Sequence, residues 1–162
     1  MIALDEIAPP FIEMAHRVVW CGVATVDAKG RPRTRILHPF WQWDGRSLVG
    51  WIATSPNSPK AAHLAANPGV ALSYWDPSHD HCIAECATSW HNDATSREMV
   101  WDLFLHGPAP VGYDPSIIPG WDTPASADFG ALRLDPWRLQ LMDGAWLMTG
   151  GAQGRRLTWA RS

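Results

Sequence analysis

Cysteine is scarce in this chain, three among 162 residues, and an odd number of thiols argues against a disulfide framework and for reduced cysteines. Long apolar runs are missing as well. No stretch approaches the roughly 20 residues that a membrane-spanning helix needs, and the start, MIALDEIAPP, has no basic region leading into an apolar one. The expectation is a cytoplasmic protein with no membrane partner. Clustered positive charge is also lacking: the 13 Lys and Arg are scattered, the net charge is −3 and the pI is near 6.1. That leaves no electrostatic footprint for nucleic acid. Internal repeats, low-complexity tracts, a nucleophile triad and a paired-carboxylate motif are all absent, so any chemistry is expected to come from a bound cofactor.

What is present suits one core and not two, and residues 1–162 read as a single domain. Eleven tryptophans exceed what such a core requires; they suit a flat ligand or a subunit interface as well as simple core filling. The chain is organised around residues 33–69. RTRILHPFWQW and RSLVGWIA alternate and are joined at Asp44-Gly45, a dipeptide that tolerates a tight hairpin turn. A short helix follows, with Ser58 as N-cap, Pro59 at the first helical position and Asn67-Pro68 as its stop. Its start brings Thr54, Ser58 and Lys60 to the positive end of the helix dipole, a combination that suits phosphate. Of the strand arginines, Arg35 is the candidate for forked contacts to the same anion, and Arg33 reads as exposed.

Strand, hairpin, strand, T-x-x-x-S-x-K, helix, Asn-Pro and a further strand together resemble the flavin-binding split barrel of the pyridoxamine 5'-phosphate oxidase family. The resemblance is clearest over residues 18–90 and returns near 129–144. It implies a mainly β, α+β fold: a six-stranded antiparallel split β-barrel with flanking helices. It also implies that Thr54, Ser58, Lys60 and Arg35 hold the phosphate of FMN, with the ring against hairpin backbone at Ile36, Leu37 and Ala53. Aligning Glu85 with the family's glutamate puts His81 where a glutamine often touches FMN, although Cys86 replaces the glycine usual after it. Met142 stands where a flavin-side tryptophan is common, so pyridoxamine 5'-phosphate itself is expected to be a poor substrate.

The remaining chain is read locally. Residues 5–16 suit a short helix after Pro9-Pro10 that covers a barrel end. Residues 18–26, 69–75 and 82–90 read as strands, and 129–134 and 137–142 as two closing strands, with a last short strand in the tail. Gly50 suits the close approach of a ring or of another backbone, or a barrel bend. Residues 92–107 carry a helix opened by a Thr95-x-x-Glu98 capping box. The segment GPAPVGYDPSIIPGWDTP is too apolar for an idle linker and suits a packed cover, a lid or a partner contact. His79, His81, Cys82, Cys86 and His91 are the one metal-like group, but on a strand the histidines face away from the two cysteines, so no metal is expected.

The functional expectation is an FMN-dependent oxidoreductase acting on a small molecule, a homodimer with the cofactor at its interface. The same barrel with a deazaflavin, and a non-catalytic flavin or haem carrier or sensor, are the alternatives.

Overall fold

The computed structural model describes residues 2–161. Helix α1 (Leu4–Val18) precedes strands β1 (Cys21–Val26), β2 (Pro32–Leu37), β3 (Phe40–Trp43) and β4 (Leu48–Ala53). Helix α2 (Pro59–Ala66), strands β5 (Gly69–Trp75) and β6 (His81–Trp90), and helix α3 (Ala94–Leu105) follow. A 3-10 turn (Pro115–Ile117), β7 (Ala131–Met142), α4 (Gly144–Met148) and β8 (Arg156–Ala160) complete the order. Every strand pairing is antiparallel, in the order β2-β1-β5-β6-β7-β4-β3, with β8 added on β7. The two end strands, β2 and β3, are neighbours in sequence, so the sheet curls until its ends meet covalently at His38-Pro39. This is an open split barrel with flanking helices.

It has eight strands where six were expected. The 33–43 stretch, read as one strand, breaks before Pro39, which cannot donate to a ladder and restricts the residue preceding it. Its two halves pair with different partners: β2 with β1, and β3 with β4 across the Asp44-Gly45 turn. Conversely, 129–134 and 137–142 are a single strand. Pro136 passes through it at a register shift opposite Glu85 and Cys86, where a bulge removes the need for its missing N–H.

Helix α1 also differs from expectation, since Pro9 and Pro10 lie inside it. Each forfeits a backbone hydrogen bond, but Ile7, Ala8, Phe11, Met14 and Ala15 are all buried. That burial offsets the cost, at roughly 1.5–3 kcal/mol for each large side chain. The helix plugs the barrel end, packing on β3, β5, β6, β7 and β8. Beneath it Phe11 meets Trp41 edge-on at 5.2 Å, and Trp41 Nε1 donates to Tyr74 Oη at 2.9 Å. Gly50 faces Trp41 across the β3–β4 ladder. A Cβ there would stand 2.9 Å from the indole, so close approach of a ring is what the glycine serves.

A second apolar cluster lies outside the barrel, where Val100, Trp101 and Phe104 of α3 meet Phe40, Trp51, Trp121 and Phe129. Helix α3 is capped by Asp93, whose side chain accepts from Ser96 N at 2.9 Å, and not by the Thr95 capping box. Trp41, Trp51, Trp101 and Trp121 are core residues, whereas Trp20, Trp75 and Trp137 are exposed. Among the described residues no three His, Cys, Asp or Glu side chains converge on a metal position, and no described helix is long and apolar enough to cross a membrane.

Candidate functional site

The β4–α2 connection is fixed from below before it presents anything to a ligand. Asp128 accepts from Ser55 Oγ at 3.2 Å and Asn57 Nδ2 at 2.9 Å, and Thr54 N donates to Gly130 O at 3.0 Å. Gly130 is required by the contact itself: a Cβ there would lie 2.9 Å from Thr54 O. Ser58 stands at the N-cap, but its hydroxyl does not cap. It donates to Ser55 O at 2.8 Å and accepts from Lys60 Nζ at 2.5 Å. No side chain therefore caps the helix N-terminus, and its positive end remains available to an anion.

Arg35 reaches the same region from β2. Its Nη1 donates to Val23 O at 3.0 Å and Thr25 Oγ1 at 2.8 Å, and Thr25 Oγ1 lies 3.1 Å from His63 Nδ1 on α2. Strand β1 thus ties Arg35 to the helix that carries Lys60. Arg33 is engaged elsewhere, 3.4 Å from Asp27, so of the two β2 arginines Arg35 is the one whose partners are neutral oxygens. Among the described residues neither Arg35 nor Lys60 forms an ion pair. Burial, and behind it the Arg35 charge, pulls the Lys60 ammonium down to about 8, and burial also lowers Arg35. Two partly buried cations without a carboxylate have unmet electrostatic demand, which a phosphate would satisfy.

Beside this grip lies a groove of about 380 Å3. One wall is the end of the barrel hairpins: Ile36, Leu37, His38, Ala53 and Thr54. The other is Trp20 with Pro110, Tyr113, Ile117, Ile118 and Trp121 of the proline-rich segment. That segment packs through Val111 and Trp121, while Ile117 stays largely exposed. Trp20 is set by a tight turn at Val19 (φ 70°, ψ −63°), in which Trp20 N donates to Val18 O at 2.9 Å. Positive φ at a β-branched residue is strained by about 1–3 kcal/mol and is found where surrounding structure enforces it. Trp20 and Tyr113 flank the His38 ring at 5.0 and 5.2 Å. Burial lowers the His38 pKa, and its Nε2 has no hydrogen-bond partner.

Of the sequence-predicted residues, Arg35, Ser58 and Lys60 lie together at the start of α2, and Ile36, Leu37 and Ala53 line the adjoining groove; Thr54, expected among the phosphate residues, lines that groove with them. His81 does not join them within one chain. It bonds Ser73 Oγ at 3.3 Å and lines a separate groove with Met142, Trp146 and Arg156. Sequence reasoning missed Thr25 and His63, which position Arg35, and the aromatic wall of Trp20 and Tyr113. Only the β1–β2 register, which pairs Val23 with Arg35, places Thr25 beside that arginine.

The sequence profile of the pyridoxamine 5'-phosphate oxidase family matches residues 11–113, more than half of the chain and the part that builds the grip and most of the groove. The chain belongs to this family. Among curated proteins none matches it. Similar solved structures include a general stress protein 26-related protein of the pyridoxinephosphate oxidase family from Clostridium acetobutylicum. It is 15% identical, with 98% of this chain and 96% of that one covered and a TM-score of 0.70. A pyridoxamine 5'-phosphate oxidase-related, FMN-binding protein from Nostoc punctiforme is 18% identical over 100% of this chain and 93% of that one, with a TM-score of 0.69. An F420 reductase is 21% identical over 78% and 93%, with a TM-score of 0.55. At these identities the likeness is one of fold.

Proposed function

We propose that this member of the oxidase family binds FMN and transfers hydride or electrons to or from a small molecule in the cytoplasm. The observation that carries the reading is the pair of unneutralised cations, Lys60 and Arg35, at an uncapped helix start beside an uncharged groove. Lys60, Ser58, Arg35 and the α2 N-terminus would hold the phosphate, and Ile36, Leu37, Ala53 and Thr54 would face the ring. When bound, the isoalloxazine supplies the redox chemistry. The chain contributes binding, orientation and exclusion of water. A deazaflavin on the same grip is the second reading, supported by the F420 reductase among the fold neighbours. Titration of the protein with FMN and, separately, with a deazaflavin, followed by cofactor fluorescence and visible absorption, decides between them. Micromolar or tighter FMN binding is expected, and selective binding of the deazaflavin would replace the first reading with the second.

FMN affinity is expected to fall as the pH rises. A phosphate favours the charged ammonium, so above the free-protein value of about 8 for Lys60 binding must also take up a proton. The association constant then drops by up to tenfold per pH unit until the bound-state value is reached. A wild-type titration flat from pH 7 to 10 would contradict the assignment. Lys60→Arg, which cannot titrate there, serves as the control.

A homodimer is proposed because one chain leaves the groove open: Trp20, Ile36 and Ile117 at its rim are each at least 60% exposed, and a second copy could cover the ring. Any contact from His81 would then have to come from that copy. Light scattering of the FMN-saturated protein is expected to give about twice 17.9 kDa. A monomeric mass at full occupancy would remove the dimer from the proposal.

A further inference from the structure

The groove beside the phosphate grip is lined by twelve residues, none of them Lys, Arg, Asp or Glu. Its lining extends from Ala53 and Thr54, next to the grip, to Ile117 and Ile118 on the proline-rich segment. The outer part is aromatic: Trp20 is 60% exposed, meets the His38 ring at a tilt of 58° and 5.0 Å, and lines the same space as Tyr113. His38, the one lining residue able to titrate near neutrality, is held toward its neutral form by burial.

We infer that this outer half, bounded by Trp20, Tyr113, Ile117 and Ile118, is a substrate subsite for flat, uncharged aromatic molecules. The inference rests on the cofactor reading above, which assigns the grip and the hairpin wall to the flavin. Ring surface on Trp20 and Tyr113 offers stacking area, and Ile117 and Ile118 offer apolar edge contact. A charged substrate would leave water here without a counter-charge. The grip cations cannot serve it, because the cofactor phosphate uses them. Of the residues that bound this outer half, Ile117 and Ile118 lie beyond the span of the family profile, and Trp20 and Tyr113 lie within it.

The test uses 2-naphthol as the neutral flat probe and 2-naphthyl phosphate as its charged counterpart, each titrated calorimetrically into FMN-saturated protein. Expected are 2-naphthol binding at least tenfold tighter than 2-naphthyl phosphate, and a loss of at least tenfold in both Trp20→Ala and Ile118→Asp. Both positions are exposed, and an unchanged FMN content in the variants would show that they fold. The subsite is overturned if the two variants bind 2-naphthol as wild type does. It is also overturned if the phosphate ester binds as well as the alcohol, if 2-naphthol does not bind at all, or if FMN and 2-naphthol displace one another. Failure of FMN to bind would instead sink the cofactor reading. The same two variants, titrated with 2-naphthol alone, then still decide the subsite.

Discussion

Replacing Lys60 with alanine is expected to weaken FMN binding by about 1.5–3 kcal/mol, and Arg35→Ala by a similar amount, because each removes a charge-assisted contact to phosphate. The two variants should differ in other respects. Lys60 is bonded only to Ser58 Oγ and, at 3.5 Å, Ser55 O, so its loss leaves the barrel intact. Arg35 also holds Val23 O and Thr25 Oγ1, so its loss should cost some stability along the β1–β2 ladder. Coupling between the two cations supplies a sharper check. Arg35 contributes to the depressed Lys60 pKa, so Arg35→Ala should move the alkaline fall in FMN affinity to higher pH. Fluorescence titration across pH reads both effects. Wild-type affinity in both variants would remove the grip from the site.

Trp41→Ala is expected to destabilise the fold by about 3–5 kcal/mol, the range for truncating a large buried aromatic. The indole is 1% exposed, meets Phe11 of the plug helix, and donates to Tyr74 Oη at 2.9 Å. Its removal opens a cavity against Gly50, which has no side chain to fill it, and leaves the buried Tyr74 hydroxyl without its donor. Against a typical stability of about 5–15 kcal/mol, that loss is large. Trp41→Phe keeps an edge-on partner for Phe11 and loses the hydrogen bond, so it should fall between wild type and alanine. Urea unfolding followed by far-UV circular dichroism measures all three. A loss below about 1.5 kcal/mol for alanine would mean that the site collapses around the gap and that Trp41 does not hold the plug.

Chain-local physics carried much of the reading. Alternation, the Asp44-Gly45 turn, Pro59 at the start of α2 and Asn67-Pro68 at its end are short-range signals, and they sufficed for the β1–β2 and β3–β4 hairpins, for helix α2 and for the placement of Ser58 and Lys60 at its start. Pro39 and Pro136 show where such signals run out. One proline breaks a strand and the other passes through one, because a missing N–H matters only where a neighbour needs it, and neighbours are set by pairing. The same reason let Pro9 and Pro10 stay inside α1, whose burial against the barrel outweighs the lost hydrogen bonds.

By itself, then, the sequence determined the antiparallel hairpins and the helix carrying Lys60. Only the tertiary structure decided that Arg35 and Lys60 face one region without an acid between them. It alone decided that Asp93 and not Thr95 caps α3, that His81 lies in a different groove from the grip, and that Trp20 and Tyr113 form one wall across more than ninety residues of chain. These are consequences of register and packing between segments distant in sequence, where burial and the neighbouring charge fix what each side chain meets, and no local spacing encodes them.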